Sequence, residues 1–127
     1  MLDFDDLNTY LILMSVARKH EVDPSSSLES EAFFRELMKG YPGSVDNEEE
    51  IVWWLDEQIE RHFLSFSSRP EWIQEPQWPF ADGKPMVFAG QIDISVTDLP
   101  FPFFHDDTSL YVFVGRKVKP IVVTQQY

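Results

Sequence analysis

The distribution of proline is the feature that most constrains the fold of this chain. Seven of its nine prolines follow residue 65, whereas the residues before that point carry apolar side chains at helical spacing. Because proline lacks a backbone N–H and disrupts a helix interior, the second half must consist of strands and loops. Helices followed by strands predict an α+β fold. The length of 127 residues predicts a single domain, residues 1–127.

Three helices are predicted in the helical part, which spans about residues 1–65. The first covers about residues 5–20, with acidic residues at its start and basic residues at its end, as the helix dipole favours. The second begins at a cap formed by Ser27 or Ser30. It ends at Gly40, because glycine readily adopts the left-handed conformation that closes a helix.

The third helix has the clearest start signal, a capping box in which Asp46 caps the helix and Glu49 reaches back. Its apolar stripe consists of Ile51, Val52, Leu55, Ile59 and Phe63. At about 100° per residue, Trp53 falls nearly opposite this stripe. Its side of the helix also carries Glu57, Glu60 and Leu64. A small α+β domain must cover its sheet, so we expect the sheet to bury Trp53; the alternative is a Trp53 that awaits a partner.

About three antiparallel strands are predicted to form the sheet part, over residues 86–126. The strand at residues 86–94 alternates, with one face formed by Met86, Phe88, Ile92 and Ile94 and the other by Gln91 and Asp93. Residues 110–114 are apolar on both faces, which predicts a central strand buried on both sides. Residues 121–125 form the returning strand. Between helices and sheet, about residues 69–85 form a Trp- and Pro-rich segment, which we call the strap.

The strap is predicted to attach the helical part to the sheet. Trp72 and Trp78 carry large apolar rings that favour burial. Once buried, the remaining backbone amides of the strap must be paired. Glutamine amides, at Gln74 in the strap and at Gln91 and Gln125 in the strands, can pair such groups or bind a ligand. We favour the structural role for these side chains.

The net charge of −12 is concentrated in the first half of the chain. Residues 1–68 hold 15 acidic and 5 basic side chains, whereas residues 69–127 hold 7 and 5. This charge argues against binding to nucleic acid or to an anionic membrane, and it favours a basic protein partner. The simpler interpretation is that the charge keeps the protein soluble. The absence of cysteine and of a secretory signal favours a cytoplasmic location.

A histidine and carboxylates occur together at one place, in His105, Asp106 and Asp107, shortly after Phe103. Imidazole and carboxylate groups bind metals, and histidine titrates near neutrality. However, consecutive side chains point in different directions, and such a sequence before a strand is typical of turns. We therefore favour a turn, with a ligand site as the alternative. The sequence contains no hydrolase, kinase or nucleotide-binding motif, so we assign no catalytic residue, no metal and no cofactor.

Part of the sequence resembles a known bacterial family over roughly residues 72–114. The resemblance rests on Trp78-Pro79, on Gly83-Lys84-Pro85-Met86, on Phe88-Ala89-Gly90-Gln91-Ile92-Asp93 and on the later aromatic strand at residues 110–114. These motifs are similar to the core of the YwqG-like proteins. The resemblance implies a bacterial protein with no assigned catalytic residues, and a role as an immunity partner of a toxin.

Three functional hypotheses follow from the sequence. The first is a cytoplasmic binding protein, of the immunity type, that uses Trp53 and the acidic helical surface. The second is a small-molecule-binding protein or hydrolase with a cleft between the strap and residues 101–107. The third is assembly through the edge of the sheet, with residues 121–125 pairing with a copy of themselves. The sequence leaves the oligomeric state open.

Overall fold

The computed structural model describes residues 1–95, 97 and 107–127. In that part of the chain the helices are α1 (Leu7–Lys19), α2 (Leu28–Lys39) and α3 (Glu48–His62). The strands are β1 (Phe80–Ala81), β2 (Lys84–Pro85), β3 (Val87–Ile94), β4 (Thr108–Val114) and β5 (Ile121–Gln126). The predicted α+β class, with helices first and a three-stranded antiparallel sheet after them, is confirmed.

The first two helices begin at side chains that satisfy a backbone N–H of the first turn. Asp6 accepts a hydrogen bond from the Thr9 N–H at 3.0 Å, so α1 begins slightly later than predicted. Ser27 accepts from the Ser30 N–H at 3.0 Å, which selects Ser27 over Ser30 as the cap of α2. Such caps matter because the first N–H groups of a helix have no partner within it.

The cap of α3 differs from the prediction by one residue. Asn47, not Asp46, precedes the helix and accepts from the Glu50 N–H at 3.2 Å. Asn is as good a cap as Asp, and Asn47 also has an acidic residue three positions later. The local sequence therefore supports both positions, and the structure adopts the later one.

The main sheet has the strand order β3-β4-β5, with all neighbours antiparallel. The predicted central position of β4 is confirmed. A small separate hairpin, β1-β2, lies within the strap, and its two-residue loop is Asp82-Gly83. Both loop residues have positive φ, 51° and 74°, as a tight antiparallel hairpin requires.

A register shift in β3 corrects the predicted faces of this strand. Phe88 pairs with Phe113, but Gly90 pairs with Val112, so β3 carries one extra residue, a β-bulge, at this point. The bulge reverses the alternation that follows it. Phe88 is buried, whereas Ile92, expected on the same face, is 54% exposed. Gln91 is brought opposite the buried Tyr111, on the side of the sheet that faces the core.

The two faces of β4 are not equally buried, contrary to the prediction. Ser109, Tyr111 and Phe113 are buried, whereas Leu110, Val112 and Val114 are only partly buried. The helices and the strap lie on one face of the sheet, and the opposite face lacks an equivalent layer among the described residues. The apolar side chains on both faces of β4 therefore predicted more burial than this strand has in the structure.

One cluster of buried side chains joins the helical part to the sheet. Phe63, at the end of α3, stacks on Phe34 of α2 at 5.6 Å between ring centroids and contacts Trp78 of the strap at 5.4 Å. Trp78 in turn contacts Phe113 of β4 at 5.3 Å. These aromatic contacts make the strap the middle layer between helices and sheet.

Among the described residues, none of the helices combines the length and the apolar character that a membrane span requires.

Candidate functional site

Trp53 is exposed on the outer side of α3. Its exposed fraction is 66%, whereas Ile51, Leu55 and Ile59 on the other side of the helix are 1% exposed or less. The expectation that the sheet would cover Trp53 is wrong. The neighbouring Trp54, in contrast, is half-buried and contacts Tyr41 edge-on at 5.4 Å. The strap, rather than α3, separates the helices from the sheet, so α3 needs to be buried on one side only.

The residues that surround Trp53 on the helix surface are all acidic. Positions three and four before it are Glu50 and Glu49, and positions three and four after it are Asp56 and Glu57. On a helix these four positions are the nearest neighbours of the central side chain. We call this set, Glu49, Glu50, Trp53, Asp56 and Glu57, the acidic–aromatic face. Glu60, seven residues after Trp53, extends it along the same side.

Two acidic residues of the face form hydrogen bonds with basic side chains of the same chain. His20 Nε2, at the end of α1, lies 2.7 Å from Asp56 Oδ1. Arg61 donates to Glu57 Oε1 at 3.1 Å, one helical turn along. Asp56 and Glu57 are therefore each paired with a basic side chain of the same chain.

A shallow depression of about 490 Å³ opens beside Trp53. It lies between the end of α1 and the first turns of α3, and its lining residues are Lys19, Glu48, Glu49, Val52, Trp53 and Asp56. The depression makes part of the acidic–aromatic face concave, and Lys19 adds one basic side chain to its lining.

Leu64 is placed differently from the other members of the predicted surface. It follows the end of α3 at His62, so it no longer continues the helical side of Trp53. Its backbone carbonyl accepts the Phe88 N–H at 2.9 Å, which attaches this turn to β3, while its side chain is 50% exposed. Trp53, Glu57 and Glu60 therefore share one helix side, and Leu64 lies beyond it.

The strap is bound to the sheet through side chains. Gln125 is 1% exposed; its Oε1 accepts the Ile73 and Gln74 N–H groups at 3.0 and 2.9 Å, and its Nε2 donates to the Glu75 carbonyl at 2.8 Å. Gln74 Nε2 itself donates to the Gln126 carbonyl at 2.8 Å. At these positions glutamine side chains pair with backbone groups of the strap, as predicted.

Two more side chains complete this binding of the strap. Gln91 accepts the Glu71 N–H at 2.8 Å and donates to the Glu71 carbonyl at 3.2 Å. The Tyr111 hydroxyl accepts the Ile73 N–H at 3.1 Å and donates to the Glu71 carbonyl at 2.9 Å. The sequence reasoning missed Tyr111; its only signal was the one hydroxyl in the otherwise apolar run of residues 110–114.

The two tryptophans of the strap donate to backbone carbonyls. Trp72 Nε1 donates to the Glu21 carbonyl at 2.8 Å, which attaches the strap to the end of α1. Trp78 Nε1 donates to the Met86 carbonyl at 2.7 Å. The contacts of Trp72, Gln74, Trp78 and Gln91 are consistent with a structural role for all four.

A polar cavity of about 560 Å³ lies between the strap and the ends of β3 and β4. Trp72, Gln91, Asp93, Asp107 and Ser109 are among its lining residues. Ser109 Oγ donates to Asp93 Oδ1 at 2.5 Å and Gln91 Nε2 donates to it at 2.9 Å. These hydrogen bonds, from Ser109 first and Gln91 second, lower the pKa of Asp93 and so favour its ionised form.

The predicted ligand site at the start of β4 is only partly covered by the structure. Asp107 lines the polar cavity described above. Phe103, His105 and Asp106 lie outside the described residues. Among the described residues, no group of three or more histidine, cysteine or carboxylate side chains is arranged to hold a metal ion.

Comparison with known proteins found no matching family model, no matching curated protein and no matching solved structure. The resemblance to the YwqG-like proteins therefore stays a prediction from the residues that carry it.

Proposed function

We propose that this chain is a protein-binding domain and that the acidic–aromatic face of α3 binds a basic protein partner. The observation that carries the proposal is Trp53, which is 66% exposed at the centre of four acidic neighbours. The immunity-type role, in which the chain neutralises a basic toxin, is the specific form of this function that we favour.

The chemistry of the face supports a basic partner. Tryptophan contributes more binding energy than most side chains when a partner buries it, and it also attracts an arginine or lysine placed over its ring. Of the surrounding carboxylates, Asp56 and Glu57 already contact His20 and Arg61, so Glu49 and Glu50 are the ones that offer ion pairs to the same cations. Helix α3 carries six acidic residues and one arginine, so it also accelerates the approach of a basic protein at low salt.

Affinity capture from the source organism tests the proposal when three forms of the chain are compared. The wild type is used with Trp53→Ala and with Phe66→Ala. Phe66 is 69% exposed but follows the end of α3, where its N–H donates to the Phe88 carbonyl of β3, so it is a matched control for the loss of an exposed ring. We expect a basic protein to be retained by the wild type and by Phe66→Ala, and to be lost with Trp53→Ala.

Reversal of single charges on the acidic–aromatic face provides the second part of this test. Glu49→Lys and Glu57→Lys should slow association more than they accelerate dissociation, because they reduce the long-range attraction between the two proteins. If the captured protein is acidic, or if Trp53→Ala retains it as well as Phe66→Ala does, the acidic–aromatic face is not the binding site.

The polar cavity beside the strap supports a second candidate function, the binding of a small cationic molecule. Asp93 is kept ionised by its hydrogen bonds, and Asp107 and Trp72 lie in the same cavity. Thermal-shift measurements with spermidine and arginine as probes test this candidate, with Asp93→Asn as the variant. Stabilisation of the wild type alone supports a site at Asp93, whereas equal or absent shifts in both forms exclude it.

A further inference from the structure

The outer edge of β5 is open in the described part of the chain. β5 pairs with β4 on one side, and no described strand pairs with its other side. Three of its residues are exposed at this edge: Ile121, Val122 and Thr124. The strand contains no proline, no glycine and no charged residue, and such an edge is a template for pairing with another strand.

The hydrogen bonds of the sheet show which groups point outward. The Tyr127 N–H donates to the Asp107 carbonyl, so odd-numbered residues of this strand direct their backbone groups toward β4. Even-numbered residues must then direct theirs away from it. Val122 and Thr124 present both N–H and carbonyl at the open edge. The outward carbonyl of Gln126 already accepts from Gln74 Nε2 at 2.8 Å.

We infer that two copies of this chain pair through β5, antiparallel, about a two-fold axis at Val123. In this register Val122 of one copy exchanges two hydrogen bonds with Thr124 of the other, and the symmetry repeats them. An axis at Val122 would instead pair Thr124 with Pro120, which lacks an N–H. An axis at Thr124 would require the Gln126 carbonyl that Gln74 occupies. The axis at Val123 is the one that uses only free groups.

The charge distribution along this edge also fits a second copy. The turn before β5 carries Arg116, Lys117 and Lys119 and no acidic residue. The other end of the edge lies near Glu75, whose backbone carbonyl accepts the Gln125 amide at 2.8 Å and whose exposed carboxylate lies 3.6 Å from Arg18. Antiparallel pairing places the basic turn of each copy at the end of its partner that carries Glu75. The basic turns of the two copies therefore lie at opposite ends of the paired edge, away from each other.

Sedimentation equilibrium tests the inference with a proline placed where it spares the fold. Thr124→Pro removes an outward N–H and leaves the bonds between β4 and β5 intact, while Thr124→Val keeps the N–H as a matched control. We expect the wild type and Thr124→Val to approach twice 14.9 kDa as concentration rises, and Thr124→Pro to stay at 14.9 kDa. Thermal unfolding shows whether Thr124→Pro is folded; if it is not, Val122→Lys replaces it, because two lysines would then lie close across the axis.

A disulfide tests the register itself, since the chain has no cysteine. Residue 123 of one copy would lie opposite residue 123 of the other, in a non-hydrogen-bonded pair. The Cα atoms of such a pair are about 4.5 Å apart, a distance that a disulfide can bridge. Val123→Cys should therefore form a covalent dimer under mild oxidation, and Ile121→Cys, displaced along the strand from its copy, should not. A wild type that is monomeric at every concentration overturns the inference, as does a dimer that persists in Thr124→Pro. Equal cross-linking of both cysteine variants overturns the register.

Discussion

Glu21 occupies a position that suits glycine better than glutamate. It follows the end of α1 with φ of 62°. Its N–H donates to the Arg18 carbonyl at 3.1 Å and the Val22 N–H donates to the Ala17 carbonyl at 3.1 Å, the two bonds of a Schellman motif. The Glu21 carbonyl accepts from Trp72 Nε1, so the strap is attached at this unfavourable backbone position.

Replacing Glu21 with glycine should stabilise the protein. In the left-handed region a residue with a Cβ atom is destabilised by roughly 1–2 kcal/mol, and glycine avoids this cost. Part of the gain is offset because glycine makes the unfolded chain more flexible. We expect Glu21→Gly to raise the free energy of unfolding by about 1 kcal/mol in urea denaturation. Glu21→Ala is the control, because it removes the carboxylate but keeps the strain. A glycine variant no more stable than the alanine variant would refute this account.

The carboxylate of Glu21 should make stability depend on pH. Burial raises the pKa of Glu21, and the charge of Glu71 raises it further. A raised folded-state pKa gives stability that is present below the unfolded pKa and is lost as pH rises through the folded pKa. Glu21→Gln should therefore match the wild type at acidic pH and exceed it at neutral pH. Urea denaturation across this range checks the sign; a variant less stable than the wild type at neutral pH would contradict it.

At the scale of elements, the strap is unusual because side chains replace a strand ladder. Gln91, Tyr111 and Gln125 satisfy the backbone groups from Glu71 to Glu75, a segment that belongs to no strand. Side chains can do this where prolines prevent a regular ladder. Each such residue holds several backbone groups, so a single substitution affects more than one bond.

Gln125→Met should destabilise the fold severely. The methionine keeps the volume but leaves the Gln74 N–H and the Glu75 carbonyl without this partner, at a cost of about 2–4 kcal/mol. Tyr111→Phe should cost about 1–2 kcal/mol. The two effects should not add, because both side chains accept from the Ile73 N–H. Urea denaturation of the single and double variants measures this coupling, and Gln126→Met in the same strand should have little effect.

The sequence predicts the positions of the helices and strands better than it predicts which of their side chains are buried. Each helix has a local signal at its start, and α1 and α2 also have one at their end, so the three helices were predicted to within a few residues. The bulge between Phe88 and Gly90 has no local signal beyond a glycine, and it alone reverses the exposure of Ile92. The exposure of Trp53 depends on where the strap lies, and this is decided by tertiary contacts such as that of Trp78 with Phe113. Local patterns cannot show such contacts.

The candidate site was predicted in part for the same reason. Periodicity placed Trp53, Glu57 and Glu60 on one side of a helix, because helical geometry is local. The contact of Asp56 with His20 joins residues of two helices, and periodicity within α3 cannot show it. The same holds for Asp93 and Asp107, which are brought to one cavity by the pairing of β3 with β4.

At the scale of the whole molecule, the charge excess should make stability depend on ionic strength. The first 68 residues hold 15 acidic and 5 basic side chains, and their repulsion acts on the compact state. Added NaCl screens it, so the free energy of unfolding should rise with salt at constant pH. Glu49→Lys should reduce this dependence. A stability that falls with salt would show that the ion pairs of Asp5 with Arg35 and Glu57 with Arg61 outweigh the repulsion.

The attachment of the strap to β5 has a consequence for the order in which the protein forms during synthesis. Ile73 is held by Gln125, which is translated 52 residues later. At about 5–20 residues per second, the ribosome needs roughly 3–10 s for this interval. During that time the helices, β3 and β4 can form, and with them the ring contacts of Trp72 and Trp78 with Tyr111 and Phe113. The N–H groups of Ile73 and Gln74, in contrast, cannot receive the Gln125 side chain until β5 has been synthesised.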